Sequence, residues 1–196
     1  MVASQNQNKK NIAVLVGSLR QDSINRRLAE ALAALAPSSL GLNIVEIGQM
    51  PFYNEDDEAQ APQAWRDFRD QVRGADGVLF VSPEYNRSIP AVLKNAIDVG
   101  SRPYGKSVWD GKPTAVVTAS PSPIGGFGAN HHLRQTMVFL NMPALQMPEA
   151  YIGRADTLFD DQGGVKEAST REFLTKFLQA FDGWVAQHPA PTGASS

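Results

Sequence analysis

The sequence predicts an α/β fold: a doubly wound, five-stranded parallel sheet with helices on both faces. Three observations predict it. Short runs rich in Val, Ile, Leu and Ala recur along the chain, and they are apolar throughout rather than alternately polar, as strands buried on both faces are. Stretches with apolar residues at helical spacing lie between those runs. Strands and helices in alternation specify parallel strands joined by crossovers, because only a crossover brings the chain back to begin the next strand in the same direction.

The elements follow in order. Asn11 to Gly17 is a β-branched run ending in Gly, the first strand. Ser23 to Ala36 carries Ile24, Leu28, Leu32 and Leu35 close to helical spacing, with Pro37 just beyond. Leu42 to Ile47 is the second strand. Ala61 to Arg73 is an amphipathic helix through Trp65, Phe68 and Val72, with Pro62 near its first turn and Gly74 after its last. Gly77 to Ser82 is the third strand, and Pro90 to Val99 a helix closed by Gly100. Pro113 to Ala119 is the fourth strand, Gly126 to Leu140 a helix, and Pro143 to Met147 a short fifth strand. Glu167 to Gln187 is a closing amphipathic helix through Phe173, Phe177, Leu178, Phe181, Trp184 and Val185. Residues 1–10 and 188–196 read as disordered tails around one domain, 11–187. Five strands in about 150 residues fit flavodoxin-like strand order, in which ligands sit beyond the carboxyl ends of the strands.

Composition excludes several classes of function. The 196 residues, 42% hydrophobic and 19% charged, suit one domain. A chain of that size buries roughly two-thirds of its unfolded surface, enough to fold without staples. There is no cysteine, which removes disulfides, zinc–thiolate sites, iron–sulfur clusters and thiol nucleophiles. A net charge of −2 and a pI near 5.9 supply no overall basic field for nucleic acid. The longest apolar runs, Ile12 to Val16 and Ala31 to Ala36, fall far short of the roughly 20 residues of a membrane span. Met1 to Lys10 is polar and lacks the apolar core of a signal peptide, so a cytoplasmic location is expected.

Polar chemistry concentrates in the loops after strands one, three and four. The first reads Gly17-Ser18-Leu19-Arg20-Gln21-Asp22-Ser23-Ile24-Asn25 and runs into a helix. Free N–H groups and the positive dipole end of that helix suit an anion. Ser18, Ser23 and Asn25 can donate to phosphate oxygens, and Arg20 can add a charge-assisted bond. The competing explanation is an N-cap at Asp22 or Ser23. No Gly-Lys-Ser/Thr and no Gly-x-Gly-x-x-Gly is spelled here, so a mononucleotide phosphate suits the loop better than a triphosphate or pyrophosphate. The second loop, Ser82-Pro83-Glu84-Tyr85-Asn86-Arg87-Ser88-Ile89-Pro90, is stiffened by two prolines and offers a Tyr face and backbone groups to a flat heterocycle; an ordinary loop with an N-cap at Ser88 is the alternative. The third, Ser120 to Gly128, contains Gly125-Gly126, which permits close backbone approach to a ligand.

No metal site is expected. His131 and His132 are adjacent, so on a helix they point about 100° apart. The acidic run Glu55, Asp56, Asp57, Glu58 reads as a solvated loop or a rim of the site. Neither a Gly-x-Ser-x-Gly elbow nor an acid–base carboxylate pair is present. A phosphate cradle and a ring platform without acid–base machinery suit a bound cofactor that brings its own chemistry.

Three segments carry a family resemblance. Gly17-Ser18-Leu19-Arg20-x-x-Ser23-x-Asn25 resembles the phosphate loop of the NADPH-dependent FMN reductase-like family. Pro83-Glu84-Tyr85-Asn86-x-Ser88-x-Pro90-x-x-Leu93-Lys94-Asn95-Ala96-Ile97-Asp98 is similar to its second signature. Gly125-Gly126, followed by Leu133-Arg134-Gln135 and Val138-Phe139-Leu140, is similar to its third. Bacterial quinone and chromate reductases are the subgroup most alike. The resemblance implies a flavodoxin-like fold, non-covalent FMN, and a homodimer or homotetramer. By position it assigns the FMN phosphate to Ser18, Arg20, Ser23 and Asn25, with Leu19 and Ile24 in the same cofactor loop. It sets the isoalloxazine against Pro83, Glu84, Tyr85 and Asn86, with Ser88 beside them, and places Ser120, Ile124, Gly125 and Gly126 near the ring's polar edge. Three positions depart from the family pattern: Ser122 and Gly128 replace a common Gly and Arg, and His131 a common Tyr.

The implied function is an FMN-dependent NAD(P)H oxidoreductase of quinone reductase type. Hydride would pass through flavin N5 to a small-molecule acceptor in a ping-pong cycle. Chromate, ferric, azo and nitro compounds are further acceptors it implies. Tyr85 is the residue expected to shape the pocket where nicotinamide and acceptor alternate, and no side-chain acid or base is assigned. The rival readings are a flavodoxin-like electron carrier fed by a partner protein, and a non-catalytic FMN-binding redox sensor.

Overall fold

The computed structural model describes residues 9–190. Its strands are β1 (Lys10–Val16), β2 (Leu40–Val45), β3 (Gly77–Ser82), β4 (Thr114–Ala119) and β5 (Ala150–Ile152). They form one sheet in the order β2-β1-β3-β4-β5, and every neighbouring pair is parallel. The helices are α1 (Ile24–Leu35), α2 (Gln63–Arg73), α3 (Ala91–Gly100), α4 (Phe127–Phe139) and α5 (Ala168–Gln187). This is flavodoxin-like topology, with its switch point between β1 and β3.

Side-chain alternation divides the core between two layers. Ile12, Val14 and Val16 of β1 join Leu79, Val81 and Val117 beneath α1 and α5. Ala13, Leu15, Val78, Phe80 and Val116 meet α2, α3 and α4 on the other face. Every residue of β3 and β4 is buried, which explains why neither strand carries a charged residue or alternates with exposed polar ones. β2 lies at an edge and exposes Asn43, so its sequence is mixed. In α5 the buried stripe is Leu174, Phe177, Leu178, Phe181 and Val185. Each of these side chains contributes about 1.5–3 kcal/mol by leaving water. Trp184 lies at the margin of that stripe and donates its indole N–H to the Pro143 carbonyl at 2.9 Å.

The fifth strand is not where the sequence pattern put it. Around Ala144 the chain makes a single bridge to the start of β4: Thr114 N–H donates to Pro143 O at 2.9 Å, and Leu145 N–H to Thr114 O at 2.8 Å. Pro148 cannot donate to a ladder and restricts Met147. The chain therefore leaves the sheet edge and returns as Ala150–Ile152 beside the end of β4. β2 begins two residues earlier than expected, at Leu40. The two tails fall largely outside the described residues. Lys10, assigned to a tail, opens β1 and pairs with Asp182 on α5 at 2.6 Å, while His188 caps α5.

Candidate functional site

β1 and β3 are neighbours, but β1 feeds a helix on one face and β3 a helix on the other. Their loops separate there, and a crevice opens at the carboxyl edge of the sheet. Three contacts lock the loops together. Gly17 N–H donates to Val81 O at 2.9 Å, and a Cβ on Gly17 would stand 2.8 Å from Ser82 Oγ and 3.3 Å from Pro83 Cδ, so only glycine lets the first loop lie on the second. Asn25 Nδ2 donates to the Ala119 carbonyl at 3.2 Å and ties the first turn of α1 to the end of β4. Gly126 packs under Thr118 and Glu84, which joins the third loop to the second.

The first loop caps its helix and still keeps donors free. Ser23 is the N-cap of α1, and its Oγ accepts the Arg26 N–H at 3.1 Å. That bond uses the oxygen and leaves the hydroxyl proton free to donate. The first-turn amides of Ile24 and Asn25 have no intrahelical acceptor. Ser18 is half-buried, while Leu19 and Arg20 are exposed. Ser23 and Asn25 are buried, and Asn25 Oδ1 is the one buried side-chain polar atom without a partner among the described residues.

The second loop is a tight hairpin. Tyr85 N–H donates to Ser88 O at 2.9 Å and Ser88 N–H to Tyr85 O at 2.8 Å, with Asn86 (φ 49°) and Arg87 (φ 64°) both left-handed. This is the mirror-image two-residue turn of β-hairpins, formed here without glycine. Ser88 does not cap α3: Pro90 is the N-cap, and Ser88 Oγ is hydrogen-bonded to His132 Nδ1 at 2.7 Å. The Glu84 carboxylate is also engaged, because its Oε2 accepts the Ala129 N–H at 3.1 Å at the start of α4. The main chain of Glu84, rather than its side chain, is left to border a ligand. Tyr85 is about half exposed.

The third loop turns sharply at Gly125 (φ 61°) and Gly126 (φ 79°). A Cβ on Gly125 would lie 2.7–2.9 Å from the main chain of Tyr151, Ile152 and Gly153, so this position is closed to any side chain. Ser120 is held against β5: its N–H donates to Ile152 O at 3.0 Å, and its O accepts from Ala155 N–H at 3.1 Å. Ile124 projects outward. Each of the three loops thus exposes at least one large apolar side chain at the same edge of the sheet: Leu19, Tyr85 and Ile124, with Phe127 beside the last.

One expectation about a charged group is corrected. Glu58 is not simply solvated. It makes two bonds, at 2.8 and 2.9 Å, to the buried Arg69, whose Nε donates to Val99 O. Glu55, Asp56 and Asp57 stay exposed on a 3-10 turn. The histidines diverge as their spacing requires. His132 faces Ser88, and His131 packs 4.2 Å from Phe127, with Nε2 3.2 Å from the Tyr151 hydroxyl. Burial first, then the neighbouring Glu149, pushes the Tyr151 phenol up to about 12. No group of three or more potential metal ligands occurs among the described residues.

The sequence showed Asn95 only as one position of the second family signature and gave it no role. Its Oδ1 accepts Tyr53 N–H at 2.8 Å and its Nδ2 donates to Pro51 O at 3.0 Å, pinning the loop after β2 to α3. A groove of about 910 Å3 lies between α3 and α4, from Tyr85 and His132 at one end to Arg102 and Phe139 at the other. It adjoins the three-loop site and does not coincide with it.

Comparison with known proteins decides what the site belongs to. The model of the NADPH-dependent FMN reductase family matches residues 10–157. The chain belongs to that family. A protein of Pseudomonas putida named quinone reductase is 63% identical over 175 residues, covering 89% of this chain and 94% of the relative. A 2-hydroxy-1,4-benzoquinone reductase of a Burkholderia species is 45% identical over 174 residues, 89% of this chain and 95% of that one. The solved structure of FerB, a flavoenzyme NAD(P)H:(acceptor) oxidoreductase of Paracoccus denitrificans, superposes with a TM-score of 0.88 at 40% identity, covering 92% of this chain and 99% of that chain.

As a member of the NADPH-dependent FMN reductase family, the chain is an oxidoreductase that works with FMN and NAD(P)H. Its departures from the family pattern each have a place in the fold. Ser122 N–H donates to Ser120 Oγ at 3.2 Å. Gly128 lies under the Arg87 carbonyl, where a Cβ would come within 2.7 Å of that oxygen. His131 joins a ring cluster with Phe127, in the middle, and Tyr151. No described helix is long and apolar enough to cross a membrane.

Proposed function

We propose that this enzyme reduces quinones with electrons from NAD(P)H, using FMN held non-covalently where the three loops meet. One observation carries the reading: the α1 N-terminus, with the Ile24 and Asn25 amides free beside the Ser23 cap and at the end of the loop that carries Ser18 and Arg20, lies at the same sheet edge as three exposed apolar side chains, Leu19, Tyr85 and Ile124. A phosphate suits the first feature and a flat ring the second. The Pseudomonas putida and Burkholderia relatives, named for quinone reduction, support the choice of acceptor.

The residues fit the group. Ser18, Arg20, Ser23 and the Ile24 amide hold the phosphate. Asn25 suits a different partner. Its buried Oδ1 lacks a donor, which a ribityl hydroxyl offers and a phosphate dianion does not. Pro83, the main chain of Glu84, Tyr85 and Asn86 flank the ring, and Ser120 with the turn Ile124-Gly125-Gly126 meets its polar edge. The chemistry the group supplies when bound is acceptance of hydride at N5 and its return to an acceptor in a ping-pong cycle. The protein's part is to fix geometry and supply donors. Tyr85, on its rigid hairpin, limits the space in which nicotinamide and quinone take turns, and an opening of this kind also admits chromate, ferric, azo and nitro acceptors.

The α3–α4 face leads us to propose self-association as well. Val138 and Phe139 are 83% and 87% exposed side by side near the groove, and contiguous exposed apolar residues of this kind mark contact surfaces. A second copy of the chain is the occupant proposed for it, in a cytoplasmic homodimer or homotetramer.

Initial rates with 1,4-benzoquinone and NADPH or NADH test the catalytic reading. Parallel double-reciprocal lines are expected. An FMN-loaded protein that turns over no acceptor with either nicotinamide would leave the carrier or sensor reading in its place.

A further inference from the structure

Glu84, Arg87 and Ser88 all dock on one short stretch of α4. The Ala129 N–H donates to Glu84 Oε2 at 3.1 Å, the Arg87 carbonyl rests on Gly128, and Ser88 Oγ bonds His132 Nδ1 at 2.7 Å. Gly128, Ala129 and His132 stand within four residues of one another, on adjoining parts of the helix surface. The hairpin they hold is not one that local preference favours: Asn86 and Arg87 both take left-handed backbone, which arginine in particular resists. Two main-chain bonds close the turn, but its seat on the protein comes from α4. The phosphate side of the site has separate anchors, the Ser23 cap and the tether from Asn25 to Ala119.

From this we infer that the first two turns of α4 set the position of Tyr85, with His132 as a positioning residue that acts through Ser88. The inference deepens the function proposed above and rests on Tyr85 forming a wall of the substrate opening. His132 touches neither phosphate loop nor ring edge. Its side chain fixes the far limb of the hairpin and so the distance from which Tyr85 bounds the pocket. The site is therefore tuned from the α3–α4 groove, which His132 and Ser88 both line. Substitutions in this groove are expected to alter how acceptors fit without touching the residues that hold the cofactor phosphate.

The test compares His132→Phe, which keeps a ring and loses the bond, with His132→Asn, whose amide nitrogen occupies the place of Nδ1. Ser88→Ala and the double variant Ser88→Ala/His132→Phe complete a cycle. Amide hydrogen exchange is measured at Tyr85 and Ser88 in the cofactor-free protein, and KM and kcat for 1,4-benzoquinone in the FMN-loaded one. Loss of one hydrogen bond should speed exchange at both amides roughly fivefold in His132→Phe and Ser88→Ala. In His132→Phe, KM should rise by about the same factor, with kcat changed less than about twofold, and His132→Asn should restore both. The double variant should be no worse than either single one. Unchanged exchange in His132→Phe, equal behaviour of the Phe and Asn variants, or additive effects would each overturn the inference. A wild-type protein that binds no FMN would overturn the functional reading instead, and the exchange arm would still decide whether α4 holds the hairpin.

Discussion

Asn25 and Arg20 stand five residues apart at the mouth of the same loop, yet they differ in what they hold. The Asn25 amide is buried, and its donor satisfies the Ala119 carbonyl on a strand 94 residues away. Removing it leaves that carbonyl unpaired in the interior. Asn25→Ala should lower stability by about 1–3 kcal/mol in urea titrations of the cofactor-free protein and weaken FMN binding too. Arg20 is exposed and caps nothing. Arg20→Ala should leave the urea midpoint unchanged and weaken FMN binding by about 1.5–3 kcal/mol, measured by fluorescence quenching, the range for a hydrogen bond to a charged group. Unaltered affinity would remove Arg20 from the phosphate site. The sequence narrowed the cap to Asp22 or Ser23 because capping is local. It could not show that Asn25 reaches β4, because that contact depends on strand order.

At the scale of elements, short-range patterns were legible and paired edges were not. The alternation of apolar runs located four strands and five helices, since each of those elements buries a continuous face of its own. β5 was misplaced because a three-residue edge strand buries little, and the apolar run before Met147 pairs only once. The hairpin at Tyr85–Ser88 was hidden because its turn residues, Asn86-Arg87, are not the Asn-Gly that usually marks such a turn. One contact between α4 and β5 has a spectroscopic signature. Tyr151 of β5, half-buried against Phe127 and His131 of α4, has its ionisation moved from 10.0 to about 12, chiefly by burial. The neutral phenol is the form the fold prefers. Its contribution to stability is present in full below pH 10 and is lost as pH rises through about 12. In an alkaline absorbance titration Tyr151 should ionise late, alongside Tyr53, which burial also raises. Tyr151→Phe should remove part of that late rise; an unchanged curve would mean that the phenol is solvated.

Across the whole molecule, a sheet with two helical layers places every loop that matters at one edge, and the opposite end is left to packing. The family membership, the locked loops and the three exposed apolar side chains belong to that edge. The α3–α4 face is a second, separate feature, whose apolar residues the sequence recorded only as part of a family motif. Phe139→Glu should shift the protein to a smaller species in light scattering without loss of helical circular dichroism. A wild-type protein that is monomeric at all concentrations would assign that face to something other than a second copy. The central claim is that one edge of the sheet holds FMN and exposes it to NAD(P)H. Its most direct test is the visible absorbance of the FMN-loaded protein under anaerobic conditions, before and after one equivalent of NADPH. Rapid bleaching of the yellow band is expected. A band that binds to the protein and persists after NADPH would contradict the claim.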